Sequence, residues 1–425
     1  MKKRFCPICK SSRMRLFIGY QTGNYNCQNC GYVEPDGIKE KKILFIILDG
    51  AADYPRSAFA VARMSNLNEI AKKSLCGVWS GPYAPNYNLK NMSSVATLEL
   101  LGYSYKDEPG RGYLEALGIG IKPNKNSIYL RANFATVDKN INIVDRRAGR
   151  NYFGLDELTK ELNKKIRNIN DIRIKLYRSV GHRGVLVLTG NGLSKYVSDN
   201  DIGGRKPEKI CAKIKKAEKT ANILNEYIKK SYEILSKHPI NKKRKIPANF
   251  LLLRAAGSLK YVNSFRKKYG FNACSISGVG IIKGISKYIG INIIKPKINE
   301  DYERNLRLRL NIALKCLKKY DFVLLHINGA DICSHNKDFR KKVKFLESVD
   351  RNIFSELKKM ENINIVVICD HATSSKTGEH IFGSVPFLLH TTKNKKNNIK
   401  KFDENNCKNG FKTKNPMKKI LDEIV

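Results

Sequence analysis

The sequence predicts an α/β protein with a doubly wound, mostly parallel core sheet, an inserted α/β domain and a small metal-binding segment at the amino terminus. Three observations predict it. Unbroken apolar runs that stop at Asp recur far apart in the chain, as in KKILFIILDG, DFVLLHINGAD and INIVVICDH. Stretches with apolar residues at helical spacing lie between them. The 425 residues exceed what one hydrophobic core usually organises.

Taken in order, the chain begins with two CxxC pairs, Cys6/Cys9 and Cys27/Cys30, separated by a polar and aromatic hairpin-like stretch. Four thiolates at this spacing suit one tetrahedral structural Zn²⁺, which stabilises a segment too short for a core of its own. The pattern resembles a zinc ribbon over residues 1–37. The core follows as residues 40–109 and 296–425. Its first run ends at Asp49, the helical stretch SNLNEIAKKS comes next, and NMSSVATLELLGY reads as a loop carrying Ser93 into a helix. Residues 110–295 have their own strand-like runs (IYLRANFATVD, RGVLVLTG, NFLLLRAAG) and a long helix, AKIKKAEKTANILNEYIKKSYEILSKH, and read as the insert. The core resumes with helical RNLRLRLNIALKCLKKY, the run to Asp331, helical KKVKFLESVDRNIFSELKKM and the run to Asp370-His371. A Lys/Asn-rich stretch at 393–414 reads as a surface loop before a short final helix.

Composition narrows the function classes. There are 80 Lys+Arg against 38 Asp+Glu, a formal net charge of +42. Such charge invites nucleic-acid binding, because Lys and Arg that neutralise phosphates release counterions. The basic residues nevertheless spread along the whole chain, as in NKKIRNINDIRIK and TTKNKKNNIKKFDENN, which a general compositional bias explains equally well. Nucleic acid therefore stays an open partner. No apolar run approaches the length of a membrane span, so no membrane partner is expected. The remaining cysteines, Cys76, Cys211, Cys274, Cys316, Cys333, Cys369 and Cys407, stand singly. With a start lacking a secretory apolar stretch, this reads as reduced, cytoplasmic usage.

Chemistry collects at the strand ends, where open α/β sheets place their functional groups. Asp331 and His335 form DxxxH, Asp370 and His371 are adjacent, and His380 stands nine residues further on. Carboxylate plus imidazole donors suit Mn²⁺, Zn²⁺ or similar ions rather than Ca²⁺. With Asp49 the set could hold two ions, a recurrent device for phosphoryl transfer. Ser93 is the best candidate nucleophile, since helix amides and a metal could lower its pKa.

The ordered series ILDG, MSSVATLELLGY, GRGYLEALGIGI, NFATVD with DRRAGR, GHRGVLVL, GADICSH, CDH and HIFGSVP resembles the archaeal-type 2,3-bisphosphoglycerate-independent phosphoglycerate mutases of the alkaline phosphatase superfamily. The resemblance runs from about Lys41 to the carboxyl terminus and leaves the ribbon outside. It implies one metal on Asp331, His335 and His380 and another on Asp49, Ser93, Asp370 and His371. The ions implied are Mn²⁺ first, with Zn²⁺, Co²⁺ or Mg²⁺ as alternatives. It also implies interconversion of 3-phosphoglycerate and 2-phosphoglycerate, a glycolytic and gluconeogenic step, through a phosphoserine on Ser93. A substrate with a phosphate and a carboxylate needs cationic partners. Candidates in the insert, read as a substrate-binding cap, are Arg146, Arg147, His182, Arg183, Arg254 and Lys283. The chain departs from the family at Ser94 and Thr97, where an acidic residue and a His are usual, and at Asp199-Asn200-Asp201-Ile202-Gly203, where a DTDPH-like segment stands. Two alternatives are a metal-dependent phosphatase or mutase for another phosphorylated metabolite, and a degenerate enzyme binding nucleic acid through its ribbon.

Overall fold

The computed structural model of the chain describes residues 12, 14–18, 23–27, 42–81, 92–296, 302–393 and 395–424. They divide into two compact units, Met1–Glu108 with Val262–Val425, and Pro109–Tyr261.

The first unit is organised on an eight-stranded sheet. In sheet order its strands are Asn292–Ile294, Ala273–Ile276, Phe322–Ile327, Ile43–Leu48, Asn364–Ile368, Val385–His390, Leu75–Trp79 and Phe411–Thr413. Val385–His390 runs against both neighbours, and the other pairings are parallel. The protein is thus a mixed α/β fold with a mostly parallel sheet. The three apolar runs of the sequence are its central strands, and every residue in them is buried. A strand paired on both edges and covered on both faces has no solvent side, so alternation gives way to continuous Ile, Leu, Val and Phe. Their register is in step: Leu48 lies opposite Ile327, and Ile47 opposite Ile368. Three carboxyl ends therefore emerge side by side, and with them Asp49, Asp331 and Asp370.

Sequence reading carried the insert to residue 295, whereas the second unit ends at Tyr261. Strands Ala273–Ile276 and Asn292–Ile294, with helix Gly280–Tyr288 between them, pair in parallel at the end of the eight-stranded sheet. The stretch at 393–414 is also not wholly a surface loop. Phe402, Asp403, Glu404 and Cys407 are buried, and Phe411–Thr413 is an edge strand. Its many Lys and Asn obscured the few side chains that pack.

The second unit has an antiparallel sheet in the order Phe250–Ser258, Ser127–Val137, Arg183–Thr189, Ile172–Arg178 and Asn168–Ile169, with Ile143–Asp145 paired to Ser127–Val137. In Ile172–Arg178 burial alternates, with Ile172, Ile174 and Leu176 inside and Arg173 and Lys175 outside. This is the period of a sheet with one wet face. Helices Leu155–Lys165 and Glu218–Lys237 contribute Leu158, Leu162, Leu224 and Tyr227 to a core shared with Leu130, Leu186 and Leu251.

Near the amino terminus, Met14–Ile18 and Gly23–Cys27 pair antiparallel with Met14 opposite Cys27. Cys6, Cys9 and Cys30 lie outside the described residues, and with them the predicted four-thiolate zinc group. Among the described residues no helix is long and apolar enough to cross a membrane.

Candidate active site

The site is built from loops that leave the three central strands. The Asp49 amide donates to Ile327 O at 2.9 Å, and the Asp331 amide donates to Asp49 O at 3.1 Å. Gly50 turns the first loop with φ +59°, and a Cβ there would stand 2.5 Å from Asp331 Oδ1 and 2.7 Å from Thr373 Oγ1. Only a residue without Cβ lets these loops approach so closely. Asp370 Oδ1 accepts from the amides of Gly50 at 3.1 Å and His371 at 3.0 Å, which joins the first and third loops.

Two clusters of donors result, one of Asp49, Asp370 and His371 and one of Asp331, His335 and His380. In each, the candidate ligand atoms lie within 4.8 Å of one another. His371 Nε2 is 3.5 Å from Asp49 Oδ1 and 3.4 Å from Asp370 Oδ2. Asp331 Oδ2 is 3.3 Å from His335 Nε2, and Asp331 Oδ1 is 3.8 Å from His380 Nε2. The rings of His371 and His380 are 4.0 Å apart between centroids, so the clusters adjoin. Helix Gly329–His335 carries both Asp331 and His335, because residues four apart share one helical face.

Hydrogen bonds select the tautomers. The Thr373 hydroxyl donates to Asp331 Oδ1 at 2.9 Å, so its oxygen accepts a hydrogen bond from His371 Nδ1–H at 3.1 Å. His335 Nδ1 likewise donates to Gly378 O at 2.7 Å. In both rings Nε2 keeps its lone pair and faces the carboxylates, the state a metal-ligating imidazole needs. Burial pushes His371 and His380 down to about 4, so both are neutral at pH 7. Burial pushes Asp370 up to about 7.

The donor set fits divalent cations. Asp370 is fully buried, and its Oδ2 has no hydrogen-bond donor among the described residues. A buried carboxylate oxygen without a donor is unfavourable unless a cation or a proton meets it. Mixed carboxylate and imidazole donors suit first-row divalent ions.

Ser93 lies in the first turn of helix Met92–Leu100, and its Oγ is 3.3 Å from His371 Nε2. The sequence placed it in the preceding loop; the helix begins one residue earlier. Ser94 and Thr97 are both buried. The Ser94 hydroxyl donates to Glu108 Oε1 at 3.3 Å, and the Thr97 hydroxyl donates to Ser93 O at 2.7 Å.

In the second unit, Asp201 accepts from Arg146 Nε at 3.1 Å and lies 3.2 Å from Arg254 Nη1. With the Asn133 amide oriented to satisfy both of its neighbours, its oxygen accepts from Arg254 Nη2 at 3.0 Å. Asp199 and Asn200 hold the backbone of strand Phe250–Ser258 at Ala255, Leu253 and Leu251. This segment therefore braces the strand that carries Arg254. His182 is buried, while Arg147 and Arg183 are exposed. Lys283 is not part of the insert: it lies on helix Gly280–Tyr288 of the first unit.

Sequence reading missed several groups. Arg131, opposite Arg254 across the strands, faces Glu115 at 3.6 Å, and Arg111 reaches the same carboxylate at 3.0 Å. An Arg interrupting the apolar run IYLRANF and an i,i+4 Arg–Glu pair in GRGYLEALG were the available signals. His326 was passed over inside DFVLLHINGAD. Its Nε2 stands 3.4 Å from Asp49 Oδ2, and neither ring nitrogen makes a hydrogen bond among the described residues.

Comparison with known proteins gives one consistent result. Residues 71–241 match the family model described as 2,3-bisphosphoglycerate-independent phosphoglycerate mutase. A protein of that name from Picrophilus torridus is 36% identical over 389 residues, 87% of this chain and 94% of the relative. A relative from Methanocaldococcus jannaschii, named 2,3-bisphosphoglycerate-independent phosphoglycerate mutase 1, is 33% identical over 91% of this chain and 98% of its own. The solved cofactor-independent phosphoglycerate mutase from Thermoplasma acidophilum superposes with a TM-score of 0.63 at 28% identity, covering 91% of this chain and all of the other. Identity at this level along nearly the full length of both chains places this protein in the family of 2,3-bisphosphoglycerate-independent phosphoglycerate mutases.

Proposed function

We propose that this chain interconverts 3-phosphoglycerate and 2-phosphoglycerate without 2,3-bisphosphoglycerate, with Ser93 as the residue that carries the phosphoryl group. The observation that carries the reading is the placement of Ser93 Oγ 3.3 Å from His371 Nε2, beside two donor clusters at parallel strand ends. Asp331, His335 and His380 would hold one divalent cation, and Asp49, Asp370 and His371 with Ser93 the other. Mn²⁺ is the first choice and Zn²⁺, Co²⁺ or Mg²⁺ the alternatives. When bound, such ions lower the pKa of the serine hydroxyl and neutralise phosphate oxygens.

In the reaction proposed, Ser93 loses its proton and its oxygen bonds to phosphorus as the C3 oxygen of glycerate leaves and is protonated. The phosphoserine then passes the group to the C2 oxygen, which loses its proton while Ser93 recovers one. The sum is an isomerisation that consumes neither water nor protons. The hydrogen bonds from His371 Nδ1 to Thr373 and from Thr373 to Asp331 leave His371 Nε2 without a proton on the side of Ser93 and the carboxylates. Arg146, Arg147, His182, Arg183, Arg254 and Lys283 are the proposed partners for the anionic substrate, and Arg111 and Arg131, which face Glu115, join them in this proposal. The inserted unit then acts as the substrate-binding cap. Excluding water from the phosphoserine separates a mutase from a phosphatase.

Incubating the purified protein with Mn²⁺ and 3-phosphoglycerate tests the reading. Formation of 2-phosphoglycerate is expected. Release of inorganic phosphate without it would reject the mutase and leave the phosphatase.

A further inference from the structure

We propose that Lys342 is a positioning residue that sets the distance between the two loops carrying Asp49 and Asp370-His371, and so assembles both donor clusters. The inference rests on the two-metal reading above and concerns a residue outside either cluster.

Lys342, on helix Phe339–Val349, is fully buried. Its ammonium has three donors, and each meets an acceptor: Ala52 O at 3.2 Å, Asp53 Oδ2 at 3.2 Å and Thr373 O at 3.0 Å. Ala52 and Asp53 belong to the loop that begins at Asp49, and Thr373 to the loop that begins at Asp370. One cation thus ties the backbones of both loops from beneath. The same loops are joined by the Thr373 amide, which donates to Ala52 O at 3.0 Å, and by Ser375, whose hydroxyl and amide donate to Asp53 Oδ2 at 2.5 Å and 3.2 Å. Glu404 extends the network by accepting from the Asp53 amide at 2.8 Å and from the Ser57 hydroxyl.

The link reaches the site through Thr373. Its hydroxyl connects His371 Nδ1 to Asp331 Oδ1, so a shift of the Thr373 backbone moves a side chain of each cluster. A buried ion pair adds little stability over apolar packing of the same volume. What this pair adds is direction, since an ammonium with three fixed acceptors admits one arrangement of the loops that supply them.

The test compares the full chain with Lys342→Met and with Lys342→Met combined with Asp53→Asn. The single variant leaves Asp53 buried without its cation and is expected to unfold at a lower temperature. The double variant removes both charges and is expected to recover most of the unfolding midpoint. Metal-free hydrogen exchange at the Thr373 and Ser375 amides should remain faster in the double variant than in the parent. Its Mn²⁺ affinity should be lower by about 10–100-fold, the usual effect of losing support behind metal ligands. In turnover, kcat should fall with KM for 3-phosphoglycerate unchanged. Parental exchange and parental Mn²⁺ affinity in the folded double variant would overturn the role given to Lys342. Failure of the unsubstituted protein to take up Mn²⁺ is a different result, and would overturn the two-metal reading and this proposal with it.

Discussion

Replacing Gly50 by Ala probes how the site is held together. The residue has φ +59°, and an added Cβ would lie 2.5 Å from Asp331 Oδ1, 2.7 Å from Thr373 Oγ1 and 2.8 Å from Asp331 Cβ. The left-handed backbone costs an L-residue roughly 1–2 kcal/mol. Crowding adds roughly 1–3 kcal/mol, the usual range for overpacking. Relief from 2.5 Å to ordinary contact requires Asp331 to retreat by about 1 Å, a displacement that can lower turnover on the order of 100-fold. Gly192→Ala is the control, because Gly192 has φ +75° but its nearest neighbour is the flexible Lys219 Cδ at 3.5 Å. Thermal unfolding, Mn²⁺ titration and turnover are measured on both. Gly192→Ala should lose stability alone, whereas Gly50→Ala should lose stability, Mn²⁺ affinity and turnover together. A Gly50→Ala protein with parental Mn²⁺ affinity and turnover would refute the claim that close loop contact positions Asp331.

Ser93→Ala should abolish phosphoryl transfer, with turnover down by about 10⁴-fold or more, as for other nucleophile deletions. Mn²⁺ uptake at Asp331, His335 and His380 should persist, and unimpaired turnover would remove Ser93 from its role. His182 has a native pKa pushed down to about 4 by burial and by the neighbouring Arg183, Arg147 and Arg131. Unfolded His titrates near 6.5, so the unfolded chain binds the extra proton between those values and the stability contributed by neutral His182 is lost as pH falls from about 6.5 to about 4. His182→Asn should flatten the unfolding midpoint in that window relative to the parent, and identical pH profiles would contradict the assignment. Cys6→Ser with Cys9→Ser should release one zinc, measured by metal analysis, and leave turnover unchanged. Loss of all activity would mean that the amino-terminal segment supports the core.

What was legible in the sequence came from short windows. Burial on both faces of a central strand leaves an unbroken apolar run, and a polar residue at its carboxyl end marks where the strand meets the site. Asp49, Asp331 and Asp370 were visible for that reason, and the DxxxH spacing of Asp331 and His335 is a property of one helix turn. The amphipathic stretch over Glu218–Lys237 likewise announced its helix through its own period.

The tertiary structure decided what depends on pairing between distant segments. No local pattern marks that Leu48 faces Ile327 or that Ile47 faces Ile368, yet this register is what lets one edge gather three loops. The insert ends at Tyr261 because two later strands pair into the core sheet, a choice made by neighbours rather than by composition. Arg131 and Lys342 sit in windows that read as strand or helix with a stray charge. Their partners, Glu115 and Asp53, are supplied by folding. A buried charge is tolerated only with a partner at hand, and that partner is defined by space rather than by order along the chain.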